Sequence, residues 1–216
     1  MDSLAPIWPS TRTRINNVSL GDAWPLAIMP SHPSTPWESI VPFHKLTQWL
    51  CYSLMAPMQR LLNVHFAGSE LLTGLPEYRN GGLLMDTGLL TLKQDDYERG
   101  VEQFHQNALN AGQPKVEVVP LFSVDDDVIV EWRAATVGFL DEVRDGVNDM
   151  LGLTGDDKLS LAQVLEAGTW KVIDSSNRKE FRREANTVQG GREIAEIQRP
   201  NTKAPPIMIL SDGTVF

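Results

Sequence analysis

The chain has 216 residues, a formal net charge of −9, a pI near 4.9 and 42% hydrophobic residues. That length and apolar content predict one domain with a real core. An acidic balance with no lysine-arginine stripe excludes sequence-independent binding to nucleic acid or to an anionic membrane surface.

Residues 1–41 are dense in Pro, Ser and Trp, and Trp8, Trp24 and Trp37 imply that this irregular stretch packs against something. From Pro42 the segment PFHKLTQWLCYSLMAPMQRLL reads as a helix, with proline in its first turn and Leu46, Trp49, Leu50, Ser53 and Leu54 along one face. Pro57 is expected to kink or end it. Glu77-Tyr78-Arg79 then lies between Gly74, Pro76 and Gly81-Gly82, a setting that predicts a tight loop opening a short apolar helix from Leu83 to Leu90. Residues near 95–110 form an amphipathic, mostly exposed helix closed by Gly112, and KVEVVPLF is a short extended piece.

The longest periodic segment follows. Asp125 to Asp127 offer an N-cap, and Ile129, Trp132, Thr136, Leu140, Val143, Val147 and Met150 recur at helical spacing, which predicts a helix from Asp126 to Met150 with Trp132 and Leu140 buried. Ser160 and Gln163 make a capping box for LSLAQVLEAGTW. Val172 to Gln189 is polar between two apolar-periodic stretches, without turn chemistry at its ends. Its valine start, a glutamine codon ending in AG, and Ala185-Asn186, encodable as a splice branch-point sequence, favour an in-frame retained intron over an ordinary surface loop. The last residues, PPIMILSDGTVF, are extended, with a turn at Asp212-Gly213. The expected fold is mainly helical with a short extended C-terminal segment.

Two copies of one pattern, acid-aromatic-arginine, stand out: Glu77-Tyr78-Arg79 and Glu131-Trp132-Arg133. On the long helix Arg133 has Ile129, Thr136, Val137 and Leu140 as neighbours, so it faces the interior. A buried guanidinium cannot shed its proton, and it requires a carboxylate or a ligand anion. One reading is a structural pair between loop and helix. The other is a polar pocket on which Glu77, Arg79, Glu131 and Arg133 converge, with the glycine-flanked loop supplying a carboxylate to the helix.

Cys51 is the sole cysteine, which excludes an intramolecular disulfide and a cysteine zinc cluster. His32, His44, His65 and His105 lack metal-ligand spacing, so neither metal nor other cofactor is expected. No signal-peptide pattern or bilayer-length apolar run occurs, and a soluble, cytoplasmic protein is expected.

The strings IWPSTRTRI, VPFHKLTQWLCYSL, TGLPEYRNGGLL, VIVEWRAATVGFLD, LAQVLEAGTWK and PPIMILSDGTVF closely resemble the C-terminal part of the fungal and bacterial uracil-catabolism protein four family, also described as uracil-regulated protein three. The resemblance covers nearly everything except Val172 to Gln189. It implies an incomplete domain whose N-terminal helical half is missing, and a place in a pathway that opens the uracil ring and passes through ribosylurea toward urea. More distantly, EYR before GLLMDTGLL, and EWRAATV, resemble signatures of the queuosine-nucleotide N-glycosidase family, whose fold is similar to helical DNA glycosylases.

What these resemblances imply is an N-ribosyl hydrolase acting on ribosylurea or its 5′-phosphate. Glu77 matches the acid of the N-glycosidase element and is the first catalytic candidate, with Glu131 as a second carboxylate. Arg79 and Arg133 suit a phosphate or the urea carbonyl; Asn80, Asp86 and Trp49 complete the candidate substrate contacts. His44 is a weak candidate for the general acid. The partner expected is a small nucleoside or nucleotide breakdown product, with association to other pathway enzymes. The alternatives are a non-catalytic ligand-binding or scaffold protein of pyrimidine degradation, or an inactive truncated product.

Overall fold

The computed structural model describes residues 7–111, 118–165, 196–200, 205–211 and 213. Within them helix predominates and strands occur only in short pairs. Strands β1 (Arg14–Ile15) and β2 (Val18–Ser19) form a hairpin. Strands β3 (Ala23–Pro25) and β4 (Ile40–Pro42) pair antiparallel, with Trp24 opposite Val41. Helices α1 (Lys45–Leu62), α2 (Tyr78–Asp86) and α3 (Gln94–Ala111) follow. Strand β5 (Leu121–Ser123) leads into α4 (Asp127–Met150) and the short α5 (Leu161–Leu165). Strand β6 (Met208–Leu210) returns parallel to β5, so both extended pieces expected from the sequence belong to one pair.

Helix α4 is the organising element. The Asp126 side chain accepts from the Val128 N–H, which caps its first turn, and Arg99 pairs with the same carboxylate. Ile129, Val130 and Trp132 then enter a core with Trp24, Phe43, Phe122 and Ile207. Farther along, Leu140 packs with Leu161 and Leu165 of α5, whose start carries the expected capping box: Ser160 N–H donates to Gln163 Oε1, and Gln163 N–H to Ser160 Oγ. The predicted stripe does not stay covered. Val143 is exposed and Met150 is 90% exposed, while Asn148 between them is buried and its side chain bonds the Leu159 backbone.

Three local expectations change. Helix α2 starts at Tyr78, directly after Glu77, so Gly81 and Gly82 are helical rather than part of a loop. Packing explains Gly81: a Cβ there would stand 2.6 Å from the Trp132 ring and 2.7 Å from Thr136 Oγ1, and only glycine lets α2 approach α4 this closely. Helix α1 begins at Lys45 because Pro42 ends β4, and it passes through Pro57 to Leu62. Of the early tryptophans, Trp24 is buried and Trp8 lies against Gly21, but Trp37 remains exposed. The segment Val172 to Gln189 and the turn residue Asp212 lie outside the described residues.

Candidate functional site

The buried arginine of α4 finds its carboxylate in an unexpected place. Arg133 Nη1 and Nη2 donate to Asp22 Oδ1 and Oδ2, each at 2.8 Å, and both side chains are 1% exposed. This corrects the expectation that the Glu77 element supplies that partner. Asp22 immediately precedes β3 and accepts from several directions at once. Its Oδ1 also receives Trp24 Nε1 at 2.7 Å, and its Oδ2 receives the Lys45 backbone N–H at 3.0 Å. Its carbonyl oxygen accepts from the N–H groups of Phe43 and His44. The Arg133 guanidinium lies 4.2 Å from the centre of the Phe43 ring. Burial pushes the Asp22 carboxyl up, but hydrogen bonds and charge from Arg133, with the Trp24 and Lys45 donors, bring it below the ordinary carboxylate value.

Asp22 thereby fixes the turn that starts α1. His44 sits there in the left-handed region at φ 46°, uncommon for a residue other than glycine, and Lys45 is delivered beside Glu77. Lys45 Nζ is 3.8 Å from Glu77 Oε2, and both side chains are mostly buried. Burial pushes the Lys45 ammonium below its usual value, against the pull of Glu77; Arg133 and Arg79 push the same way as burial, and Asp22 opposes them. Lys45, Glu77, Arg79, Arg133 and Asp22 therefore form one electrostatic group. Among the described residues it counts three cations and two carboxylates. Lys45 and Asp22 are the members that the sequence reading missed: a lysine at a helix start reads as solvated, and Asp22 stands in an irregular stretch far from its partner.

Glu131 does not join them. Positions 131 and 133 are two residues apart on a helix, about 200° around its axis, so one cannot face where the other does. Glu131 instead lines a groove of about 100 Å³ with Met85, Leu92, Lys93, Asp96 and Trp132. That groove is smaller than ligand sites of a few hundred Å³ and mostly apolar, and the charged cluster is the better candidate because perturbed ionisable groups converge there. The two tripeptides nevertheless touch through their aromatic residues: the Tyr78 and Trp132 rings are 6.1 Å apart, and Trp132 Nε1 donates to the Gly81 carbonyl.

The remaining candidates scatter. Asn80 is buried in α2; its Nδ2 donates to the Leu75 carbonyl, while its Oδ1 has no hydrogen-bond partner among the described residues. Asp86 pairs with Arg199. Trp49 lies on the outward face of α1, 44% exposed. His44 caps α1 through its backbone geometry, without a side-chain cap bond. Among the described residues no group of three or more His, Cys, Asp or Glu side chains is placed to hold a metal ion, and no helix is long and apolar enough to cross a membrane.

A family described as "Protein of unknown function (DUF1688)" matches residues 1–178 and 183–216. The chain belongs to the DUF1688 family. The break in the match falls inside Val172 to Gln189, the segment set apart by its composition. "Uracil catabolism protein 4" of Lachancea kluyveri is 43% identical over 219 residues, covering all of this DUF1688 chain and 44% of the relative. "Protein urg3" of Schizosaccharomyces pombe is 42% identical over 213 residues, covering 99% of this chain and 42% of the relative. The chain thus spans less than half the length of the curated relatives it matches. No solved structure matches it.

Proposed function

We infer that this DUF1688 chain contributes the carboxylate side of an N-ribosyl hydrolase site in uracil catabolism, acting on ribosylurea or its 5′-phosphate. The observation that carries this reading is the mostly buried Lys45–Glu77 contact, held in place by the Asp22–Arg133 pair. The name of the Lachancea kluyveri relative supports the pathway.

Hydrolysis of an N-ribosyl bond passes through an oxocarbenium-like state, which a carboxylate beside the anomeric carbon stabilises. Glu77 takes that role and accepts the proton of the attacking water. The C–N bond breaks as water adds to the anomeric carbon, and the leaving urea nitrogen takes a proton from the Lys45 ammonium, whose lowered pKa suits it to donate. Arg79 supplies charge for a 5′-phosphate. Arg133 holds Asp22 and through it the Lys45 turn, so it positions the site rather than binding substrate. Glu131, facing the other way, has no step in this scheme.

The test is urea release from ribosylurea and from its 5′-phosphate by a family-length protein. Glu77→Gln is expected to lower turnover about a hundredfold or more with the fold intact. The alkaline limb of kcat/KM is expected to fall at a pH below the ordinary lysine value, and Lys45→Gln to remove that limb. Release at the parental rate by Glu77→Gln overturns the reading. A second reading, a non-catalytic ligand-binding protein of the same pathway, is favoured by the bidentate Asp22–Arg133 lock, which among the described residues leaves Glu77 as the one candidate catalytic carboxylate at the cluster. It predicts binding of the ribosyl compound without urea release.

A further inference from the structure

Helix α1 is eighteen residues long and buries none of them. Lys45, Gln48, Cys51, Tyr52 and Met55 face the body and are partly covered. Gln48 exchanges hydrogen bonds with Thr73, donating from Nε2 to its hydroxyl and accepting its backbone N–H, and the Tyr52 hydroxyl donates to the Thr73 carbonyl. Polar contacts thus do much of the work of holding the helix down. Its other side is apolar at helical spacing: Leu46, Trp49, Leu50, Leu54, Met58 and Leu61. Leu50 is 50% and Leu61 82% exposed. Such a stripe is the kind of face that a helix normally turns toward a core, and it runs for about 22 Å at the usual rise per residue.

Two observations decide what covers it. Between Leu46 and Leu62 the only charged residue is Arg60, so the helix lacks the cationic flank by which amphipathic helices bind anionic membranes, and the whole chain is strongly acidic. The curated relatives match this chain along its whole length yet extend to more than twice that length. We propose that the outward face of α1 is the docking surface for the part of the family-length DUF1688 protein that lies outside these 216 residues. The face runs along the helix whose first residue is Lys45, so the docked part abuts the candidate site; the inference itself does not depend on which reaction, if any, occurs there.

The test compares this chain with the family-length Lachancea kluyveri relative by hydrogen exchange across α1 and its aligned counterpart. The α1 amides are expected to exchange at least about tenfold more slowly in the longer protein, independently of protein concentration. Aspartates at the positions aligned with Leu50 and Leu54 are expected to abolish that protection, while L50D/L54D in the 216-residue chain leaves its melting temperature unchanged. Equal exchange in the two proteins overturns the proposal. So does protection that grows with concentration, which assigns the face to a second copy, and so does unfolding of the short chain by L50D/L54D, which shows the face covered within the chain itself.

Discussion

Helix α4 buries Ile129, Trp132, Arg133, Thr136 and Leu140 along one side, whereas α1, 18 residues to its 24 and as regularly patterned, buries none of its apolar residues. Both stripes look alike in sequence. The difference lies in what is available to meet them. Helix α4 faces the β3–β4 pair, α2, β5 and α5, and it is further tied by a buried ion pair. Helix α1 is anchored by Asp22 at one end and by Thr73 along its inner side. Periodicity identifies the apolar face of a helix; it says nothing of whether the covering surface belongs to the same stretch of chain.

Removing Asp22 is expected to have the largest effect. Asp22→Ala removes the bidentate carboxylate from a fully buried guanidinium and frees the α1 turn, and unfolding in denaturant should show a loss of about 3–5 kcal/mol. If the loss is below ~1 kcal/mol, the pair is not what sets α4 apart. The same carboxylate gives a pH signature. Its folded pKa is depressed, so its stabilisation is complete above the unfolded value near 3.8 and is lost as pH falls through the lower folded value. Denaturant midpoints measured from neutral pH into acid should therefore drop less steeply below about pH 4 for Asp22→Asn than for the parent protein, although the variant is weaker throughout.

Gly81→Ala tests the tightness of the α2–α4 contact. The added methyl meets the Trp132 ring and Thr136 at under 3 Å, and the cost should be about 1–3 kcal/mol by the same measurement. Trp132 fluorescence should shift as its indole loses the Gly81 carbonyl. The smallest effect belongs to α1: Leu54→Ala should change the stability of this chain by no more than about 0.5 kcal/mol, because the leucine is already about half exposed. A loss of core size there would mean that α1 packs as α4 does.

Much of α4 was legible in advance. Its start at Asp126, the burial of Trp132 and Leu140 and the interior position of Arg133 all follow from local capping and a 3.6-residue period. So does the capping box of α5. The separation of Glu131 from Arg133 was legible too, since two residues along a helix point nearly opposite ways, and the repeated tripeptide drew attention from that simple geometry. The partner of Arg133 was not. Asp22 lies 111 residues away in an irregular stretch of Pro, Ser and Trp, and nothing in its neighbours marks it as the carboxylate around which Arg133, Trp24 and the Lys45 turn assemble. Lys45 became a site residue only when that turn placed its ammonium beside Glu77. Local periodicity and capping are properties of neighbouring residues and can be read from their order; ion pairing between distant segments depends on how the whole chain closes, and only the tertiary structure specifies it.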